Sequence, residues 1–363
     1  MLNNPSNITV KIFEPLQSYI LKNKLHRSYK SLPLKSDINQ AYSKEVKLYW
    51  RNKLDIYINP VWHHIFSTLS QNFDPRYITH GIWWKYFQKS LNPSVYQEPL
   101  ISDKNFLDSY IGKQYLPQTV FKVVNGRFFN KKNQLIDKNT AKAMLFDDQT
   151  KKFAKPSTLF QGKGACKLTL RDDNVIIQDK PYSFDEFISR MGINFIVQYT
   201  IEQHPKIAEV HPNSVNTLRI FTVRLYDEVH FINGAIKFGA DNNDADNTGN
   251  GVLCSIDRHS FELCDIAFNR RLETFTRHMN TGIEFKNFGK VPHYQEAIAL
   301  CKEAHKNLFY HDFAAWDIAI TKNGTPLIVE LNTKPSVFMW QIQFREPFFN
   351  DLTDEVIAYI SRK

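Results

Sequence analysis

Residues 316–332 read W-D-I-A-I-T-K-N-G-T-P-L-I-V-E-L-N, and this stretch decides how the rest of the chain is read. Two apolar runs, Ile318-Ala319-Ile320 and Leu327-Ile328-Val329, flank Asn323-Gly324. Apolar runs around an Asn-Gly pair predict a β-hairpin, because both residues tolerate the positive φ of a tight strand-joining turn. Glu330 and Asn332 are two apart, so one strand face carries both. Asp317 lies across the hairpin and can reach that face. Two carboxylates and a carboxamide oxygen converging from rigid strands form a hard-oxygen set. Such a set suits Mg²⁺, completed by water and phosphate oxygens, with Mn²⁺ as the alternative ion. A hairpin with solvated polar residues carries the same pattern, since exposed Asp and Glu are common. The remainder of the chain weighs between the two.

At 363 residues the chain can form one large domain or two to three lobes around sizeable cores. An apolar content of 42% excludes a disordered chain. The formal net charge of +9 favours anionic partners: nucleotides, acidic glycans, nucleic acid or a membrane surface. It selects none of them. Cys166, Cys254, Cys264 and Cys301 contain no C-x-x-C pair, so zinc and redox spacings are absent. Few cysteines in a long chain predict reduced thiols and a cytoplasmic setting. The N-terminus lacks a basic segment followed by a long apolar run, so no signal peptide is expected. No apolar run approaches about 18 residues, so no transmembrane helix is expected, and peripheral membrane contact stays open. Without an RNA-recognition motif, zinc finger or basic stripe, no nucleic-acid partner is expected.

Residues 10–90 show helical spacing, with Val46, Tyr49, Trp50 and Leu54 in one group and Trp62, Ile65, Phe66 and Leu69 in another. Pro60 and Pro75 stand at first-turn positions, with Asn59 and Asp74 before them as caps. Trp83, Trp84, Tyr86 and Phe87 form an aromatic knot that reads as core, with a sugar-stacking platform as the alternative. His63 and His64 read as ordinary helix residues. Ser102-Asp103-Lys104 opens a short helix ending near Gly112. Residues 118–129 predict a second hairpin turning at Asn125-Gly126, and a helix follows around 138–147. Phe153–Pro156 reads as a strand. Gly162 and Gly164 then lie in a polar loop that enters a strand at Cys166–Leu170. Glycines there let backbone N–H groups wrap phosphate oxygens; a plain turn is the alternative, and no Walker A sequence is present. Strands are expected at 195–199, 218–225, 229–238, 252–256 and 261–266. Loops are expected at 200–212 and 241–251. Helices are expected at 291–309 and 350–361.

The ordered set Lys104, Lys155-Pro156, the glycine loop, Gln198, Asn216-Thr217-x-Arg219, Asp317 and Glu330-x-Asn332 resembles an ATP-grasp enzyme. Three phrases bring the chain nearest to the sugar-transfer-associated ATP-grasp family of bacterial polysaccharide loci. They are Q-H-P at 203–205 with H-P-N-S-V-N-T-L-R-I at 211–220, A-I-K-F-G-A-D-N-N-D-A-D-N at 235–247, and the opening stretch. The resemblance covers residues 100–345 or so. It implies an α+β ATP-grasp fold in which two α+β lobes grip ATP, here at 101–200 and 201–363. A helical N-terminal region at 1–100 precedes them.

The resemblance also implies roles. Lys104 and Lys155 correspond to the lysines on the α- and β-phosphates, and Gly162 to Gly164 to the lid loop over the γ-phosphate. Gln198, Tyr199 and Ile201 fall at the hinge where backbone groups meet adenine. Thr217 falls where some relatives carry the ribose-contacting Asp, and Glu202 is another candidate for that contact. Arg219 matches the cation at the transferring phosphate. Lys237 stands where relatives commonly carry arginine; it keeps the charge and loses the bidentate fork. Asp317, Glu330 and Asn332 match the Mg²⁺ ligands. The implied activity is an ATP-dependent carboxylate–amine ligase working through an acylphosphate on a bacterial surface polysaccharide or its sugar precursor. Its partners would be ATP, a carboxylate such as a uronic acid or acidic glycan, and an amine. The alternatives are an ATP-grasp phosphotransferase acting on a hydroxyl and a non-catalytic nucleotide-binding module.

Overall fold

The computed structural model describes residues 39–94, 98–159, 163–241 and 251–363. Gly162, the segment 10–38 and most of the expected 241–251 loop lie outside the described residues. Two antiparallel sheets dominate. The first contains β1 (Thr119–Val124), β2 (Arg127–Asn130), β3 (Leu135–Ile136), β4 (Lys152–Pro156), β5 (Cys166–Arg171), β6 (Asn174–Ile177), β7 (Lys180–Tyr182) and β8 (Phe195–Tyr199). Its order is β3-β2-β1-β8-β4-β5-β6-β7. The second contains β9 (Thr217–Leu225), β10 (Glu228–Phe238), β11 (Val252–Ile256), β12 (Leu263–Phe268), β13 (Thr274–Phe275), β14 (Phe313–Ile320) and β15 (Pro326–Asn332). Its order is β13-β12-β11-β10-β9-β14-β15.

Local chemistry explains the elements of the first sheet. Asn125 and Gly126 both take positive φ, 48° and 76°, and close the β1–β2 hairpin as the dipeptide predicts. Asp137 caps the helix Lys138–Phe146 by accepting from the Thr140 N–H at 2.8 Å. Ser183 and Glu186 form a reciprocal capping box on the helix Phe184–Met191, whose buried face adds Phe187 to a core with Phe121, Leu168 and Phe195. This helix and the β6–β7 pair go beyond the expected elements.

The second sheet is covered on both faces. One face packs Leu218, Ile220, Trp316 and Ile318 against Ala297, Cys301 and Ala304 of the helix Tyr294–His305. On the other face, Phe221, Val223 and Phe313 lie beneath Trp83, Phe87, Phe348 and Phe349. The helical region before residue 92 is therefore a packed layer on this sheet. Trp83 and Phe87 are almost fully buried, in keeping with the core reading of the aromatic knot. His63 and His64 are buried too, held by the Trp50 indole N–H and the Ser43 hydroxyl. The four cysteines are unpaired, and no described helix is long and apolar enough to cross a membrane.

Two expected helix starts are wrong for one reason. Asp74 accepts from the Arg76 backbone N–H at 2.8 Å and its side chain, so Pro75 sits in a turn. Asp103 likewise accepts from the Asn105 N–H at 2.9 Å; one short helix, Glu98–Ser102, ends there, and the next starts at Leu107. Aspartates that bond the backbone two residues on build turns in competition with helix N-termini.

Candidate functional site at the cleft between the sheets

Strand register sets the site. Ser255 on β11, Ala235 on β10, Arg219 on β9, Asp317 on β14 and Glu330 on β15 oppose one another in a single cross-strand row. Residues paired in this way share a sheet face. Lys237 and Thr217 form the next row on one side. Asn233, Phe221, Ala315 and Asn332 form the next row on the other. The pairing jumps from Asp317–Glu330 to Ile318–Ile328, which leaves Val329 as a bulge residue. Bulges re-aim backbone beside active sites. Here the Val329 carbonyl accepts from the Lys155 ammonium at 3.2 Å.

Asp317 is buried and paired with two cations. Its Oδ1 accepts from Arg219 Nε at 2.6 Å, and its Oδ2 from Arg219 Nη2 at 3.1 Å and Lys237 Nζ at 2.7 Å. Burial alone would raise its pKa, but the Arg219 and Lys237 charges outweigh burial and hold the carboxyl below its usual value. Glu330 lies beside it, mostly buried, 3.6 Å from Lys104 Nζ. Lys104 also donates to the Leu159 carbonyl at 2.9 Å. Lys155 is 8% exposed, and its pKa falls to about 8. Burial is the main cause and the Lys104 charge adds to it, against the opposing pull of Glu330 and Asp317.

These groups border a cleft of about 900 Å³, open mouth included, between the two sheets. Five lysines (104, 155, 163, 167 and 237) and two carboxylates (Asp317 and Glu330) line it. That surplus of positive charge focuses a field suited to a polyphosphate. Phe153, Tyr199, Ile201 and Val215 give the cleft an apolar side where β8 leaves the first sheet. The Tyr199 N–H is taken by the Gln118 carbonyl at 2.9 Å, and the Gln198 side chain donates to the Pro117 carbonyl at 3.2 Å.

Nine of the residues singled out from sequence come together here: Lys104, Lys155, Gln198, Tyr199, Ile201, Thr217, Lys237, Asp317 and Glu330. Arg219 stands immediately behind them through its fork on Asp317. Gly164 has φ +73°, and a Cβ there would come within 2.9 Å of the Pro156 ring, so both conformation and space require glycine. Asn332 shares the Glu330 face one row beyond the ion pair, half-buried and off the cleft lining. Glu202 is not brought in: its side chain is 79% exposed and turns outward to Lys322 at 3.6 Å.

Lys163 and Lys167 went unnoticed in the sequence. The Lys167 ammonium also donates across the cleft to the Asn213 carbonyl in the loop before β9. A signal existed, because Cys166, Leu168 and Leu170 face the core and leave Lys167 on the opposite side. Among the described residues no three His, Cys, Asp or Glu side chains group together. Asp317 and Glu330, with Asn332 one row on, nonetheless have the donor chemistry of a hard cation that keeps water and phosphate ligands.

Two α+β lobes built on antiparallel sheets and closing on a lysine-rich cleft define the ATP-grasp class of protein. Within it, the chain belongs to the sugar-transfer associated ATP-grasp family, whose model matches residues 85–355. No curated protein sequence matches the chain. Among solved structures it is similar to an ATP complex of biotin carboxylase from Campylobacter jejuni, at 10% identity and a TM-score of 0.42, over 72% of this chain and 46% of that one. It is similar to an ADP complex of N5-carboxyaminoimidazole ribonucleotide synthetase, at 14% identity and a TM-score of 0.37, over 65% and 46%. A third is the ATP-grasp ligase PsnB with its precursor peptide, at 13% identity and a TM-score of 0.41, over 90% and 77%. The chain spans just under half the length of the first two, and these likenesses assign it no activity.

Proposed function

We propose that the protein is an ATP-dependent carboxylate–amine ligase acting in the cytoplasm on a bacterial surface polysaccharide or its sugar precursor. The observation that carries this reading is the row Arg219–Asp317–Glu330, flanked by Lys237 and faced by Lys104 and Lys155. A carboxylate oxygen attacks the γ-phosphorus of ATP, the bond to ADP breaks, and an acylphosphate forms. An amine nitrogen then attacks the acyl carbon, inorganic phosphate leaves, and the nitrogen loses a proton to give the amide. Such chemistry needs positioning and charge neutralisation more than a protein nucleophile.

In this reading Lys104 and Lys155 hold the α- and β-phosphates, and the Gln198–Ile201 backbone meets adenine. Tyr199 and Ile201 give the base an apolar bed, and Thr217 lies towards the ribose. Gly164 keeps the backbone close to the terminal phosphate. Arg219 and Lys237 stabilise charge on the transferring group. Asp317, Glu330 and Asn332 would hold Mg²⁺, which when bound neutralises charge on the phosphate oxygens. Residues 101–200 and 201–363 are the two gripping lobes, 1–100 is a third part, and its described residues 39–94 pack against the second.

The test is ADP release against panels of sugar acids and amines, followed by product mass. The ligase reading expects ADP only when both classes are present, and a product lighter by one water than their sum. A phosphorylated hydroxyl product formed without any amine would replace it with phosphotransfer.

A further inference from the structure

Arg219 is held on two sides. Its fork rests on Asp317 at 2.6 and 3.1 Å. The Trp340 indole lies against the guanidinium, with the ring centre 5.7 Å from its carbon. A guanidinium at that distance is attracted to the ring quadrupole. Trp340 does not belong to the sheet. It sits on the helix Phe338–Phe344, which meets the site face at Phe221 and Ser255. Phe221, the next site-face residue after Arg219 on β9, meets the same indole edge-on at 5.0 Å. Phe344 stacks on it at 5.7 Å, so the ring is itself fixed.

The helix is anchored at both flanks. Ser255, at the end of the Arg219 row, donates to the Gln343 carbonyl at 2.7 Å. The Gln341 carboxamide accepts from the Ile78 N–H at 2.8 Å and donates to the Ile78 carbonyl at 2.9 Å. Phe338 packs on Trp62 and Phe66 of the N-terminal layer, at 5.0 and 4.8 Å between ring centres. A continuous set of contacts therefore runs from the N-terminal helices to the guanidinium.

We propose that Trp340 is a positioning residue for Arg219. The two hydrogen bonds to Asp317 set the fork in the plane of that carboxylate. The indole beside the guanidinium resists its tilt out of that plane and keeps the fork in place when a substrate oxygen competes for it. The N-terminal layer acts on the reacting centre through this ring. The catalytic consequence rests on the role proposed above for Arg219; the positioning itself does not.

The experiment follows the Arg219 Nε–H resonance of the full chain by NMR, assigned by its loss in Arg219→Lys. In the wild type, ring current should displace this proton and the neighbouring Cδ protons from random-coil positions; random-coil shifts would overturn the proposal without any variant. Trp340→Met keeps a long apolar side chain and removes the ring quadrupole, and Trp340→Phe keeps an aromatic face. Water exchange of the Nε–H should quicken on the order of tenfold in Trp340→Met and stay near wild type in Trp340→Phe. Unchanged exchange in Trp340→Met sinks the idea. In parallel, MgATP turnover should fall in Trp340→Met, on the order of 10²-fold for a misplaced reacting group, while calorimetric MgADP affinity holds. If Arg219→Lys leaves turnover intact, the reaction-centre role of Arg219 fails, and the exchange data still decide the positioning.

Discussion

Strand β9 carries two arginines that pair with aspartates, one on β14 and one just before it, and the chemistry of the two pairs differs. Arg219 meets Asp317 at 2.6 Å and Arg224 meets Asp312 at 3.0 Å. The arginines are five residues apart on one strand, so they point to opposite faces of the sheet. Arg224 turns to the helix side, where it also donates to the carbonyls of Leu308 at 2.6 Å and His311 at 3.1 Å. Asp312 takes the Tyr359 hydroxyl as well, at 2.9 Å. That guanidinium ties down a turn. Arg219 instead pairs with a carboxylate on the cleft and lies beside an indole. An ion pair of the same residue types can thus close a fold or border a reaction. What surrounds the pair, carbonyls or a charged cleft, tells them apart.

The contrast can be broken most severely at Glu330, which lines the cleft in the Arg219 row beside Asp317. Glu330→Ala should abolish turnover at saturating Mg²⁺ and leave metal-free ATP binding in place, since a negative charge facing phosphate is removed. Its thermal midpoint should hold, because the side chain borders open space. Near-normal ADP formation in this variant would refute the metal assignment.

Next in size is the matched test of the two arginines. Arg219→Lys keeps charge and loses the planar fork, so turnover should drop on the order of 10²–10³-fold, as for loss of one charge-stabilising donor, with ATP affinity little changed. A fall in kcat and kcat/KM together marks a contact made in the transition state. A loss confined to ATP affinity would move Arg219 into the nucleotide pocket. Arg224→Ala should do the reverse, destabilising the fold by about 3 kcal/mol, the lower end for breaking a buried pair, because Asp312 keeps Tyr359 and Lys363 as partners. Denaturant melts measure it. An Arg224→Ala protein of normal stability and impaired turnover would erase the distinction between the two pairs.

How much of this was legible in the sequence follows from the range of each interaction. Asn323-Gly324 announced the β14–β15 hairpin, and its period of two put Glu330 and Asn332 on one face. Both signals act within a few residues. The match of Arg219 to Asp317 is a register between segments 98 residues apart, which no local pattern sets. The bulge at Val329 is equally silent, because nothing in Leu327-Ile328-Val329 marks which residue drops out of the ladder. Lys167 was readable as facing away from the core, but which side of the sheet forms the cleft emerges only when the second sheet is in place. Glu202 lies off the cleft lining, because the chain leaving β8 turns its side chain to Lys322 and solvent.

The smallest expected effect concerns pH. Lys155 has a pKa of about 8 against an ordinary 10.5, chiefly because it is buried and also because Lys104 is near. The charged form is the disfavoured one in the folded protein. Between about pH 8 and 10.5 the unfolded chain therefore binds more protons at this site, and stability gains from it as pH rises through that window. Below pH 8 the full cost of the buried charge is present. A polyphosphate in the cleft reverses the balance by supplying negative charge, so its binding should draw a proton onto Lys155 wherever the free protein has lost it. ATP affinity should then weaken about tenfold between pH 7 and 9, and binding at pH 9 should take up close to one proton. Calorimetry in buffers of different ionisation enthalpy reads the uptake. Lys155→Arg provides the control, since a guanidinium keeps its proton across this range. Its ATP affinity should lose the slope, and the difference in proton uptake from wild type cancels the titration of ATP itself. If wild type and Lys155→Arg follow the same pH profile, the lysine that reaches for the Val329 carbonyl is not the group that meets the phosphates.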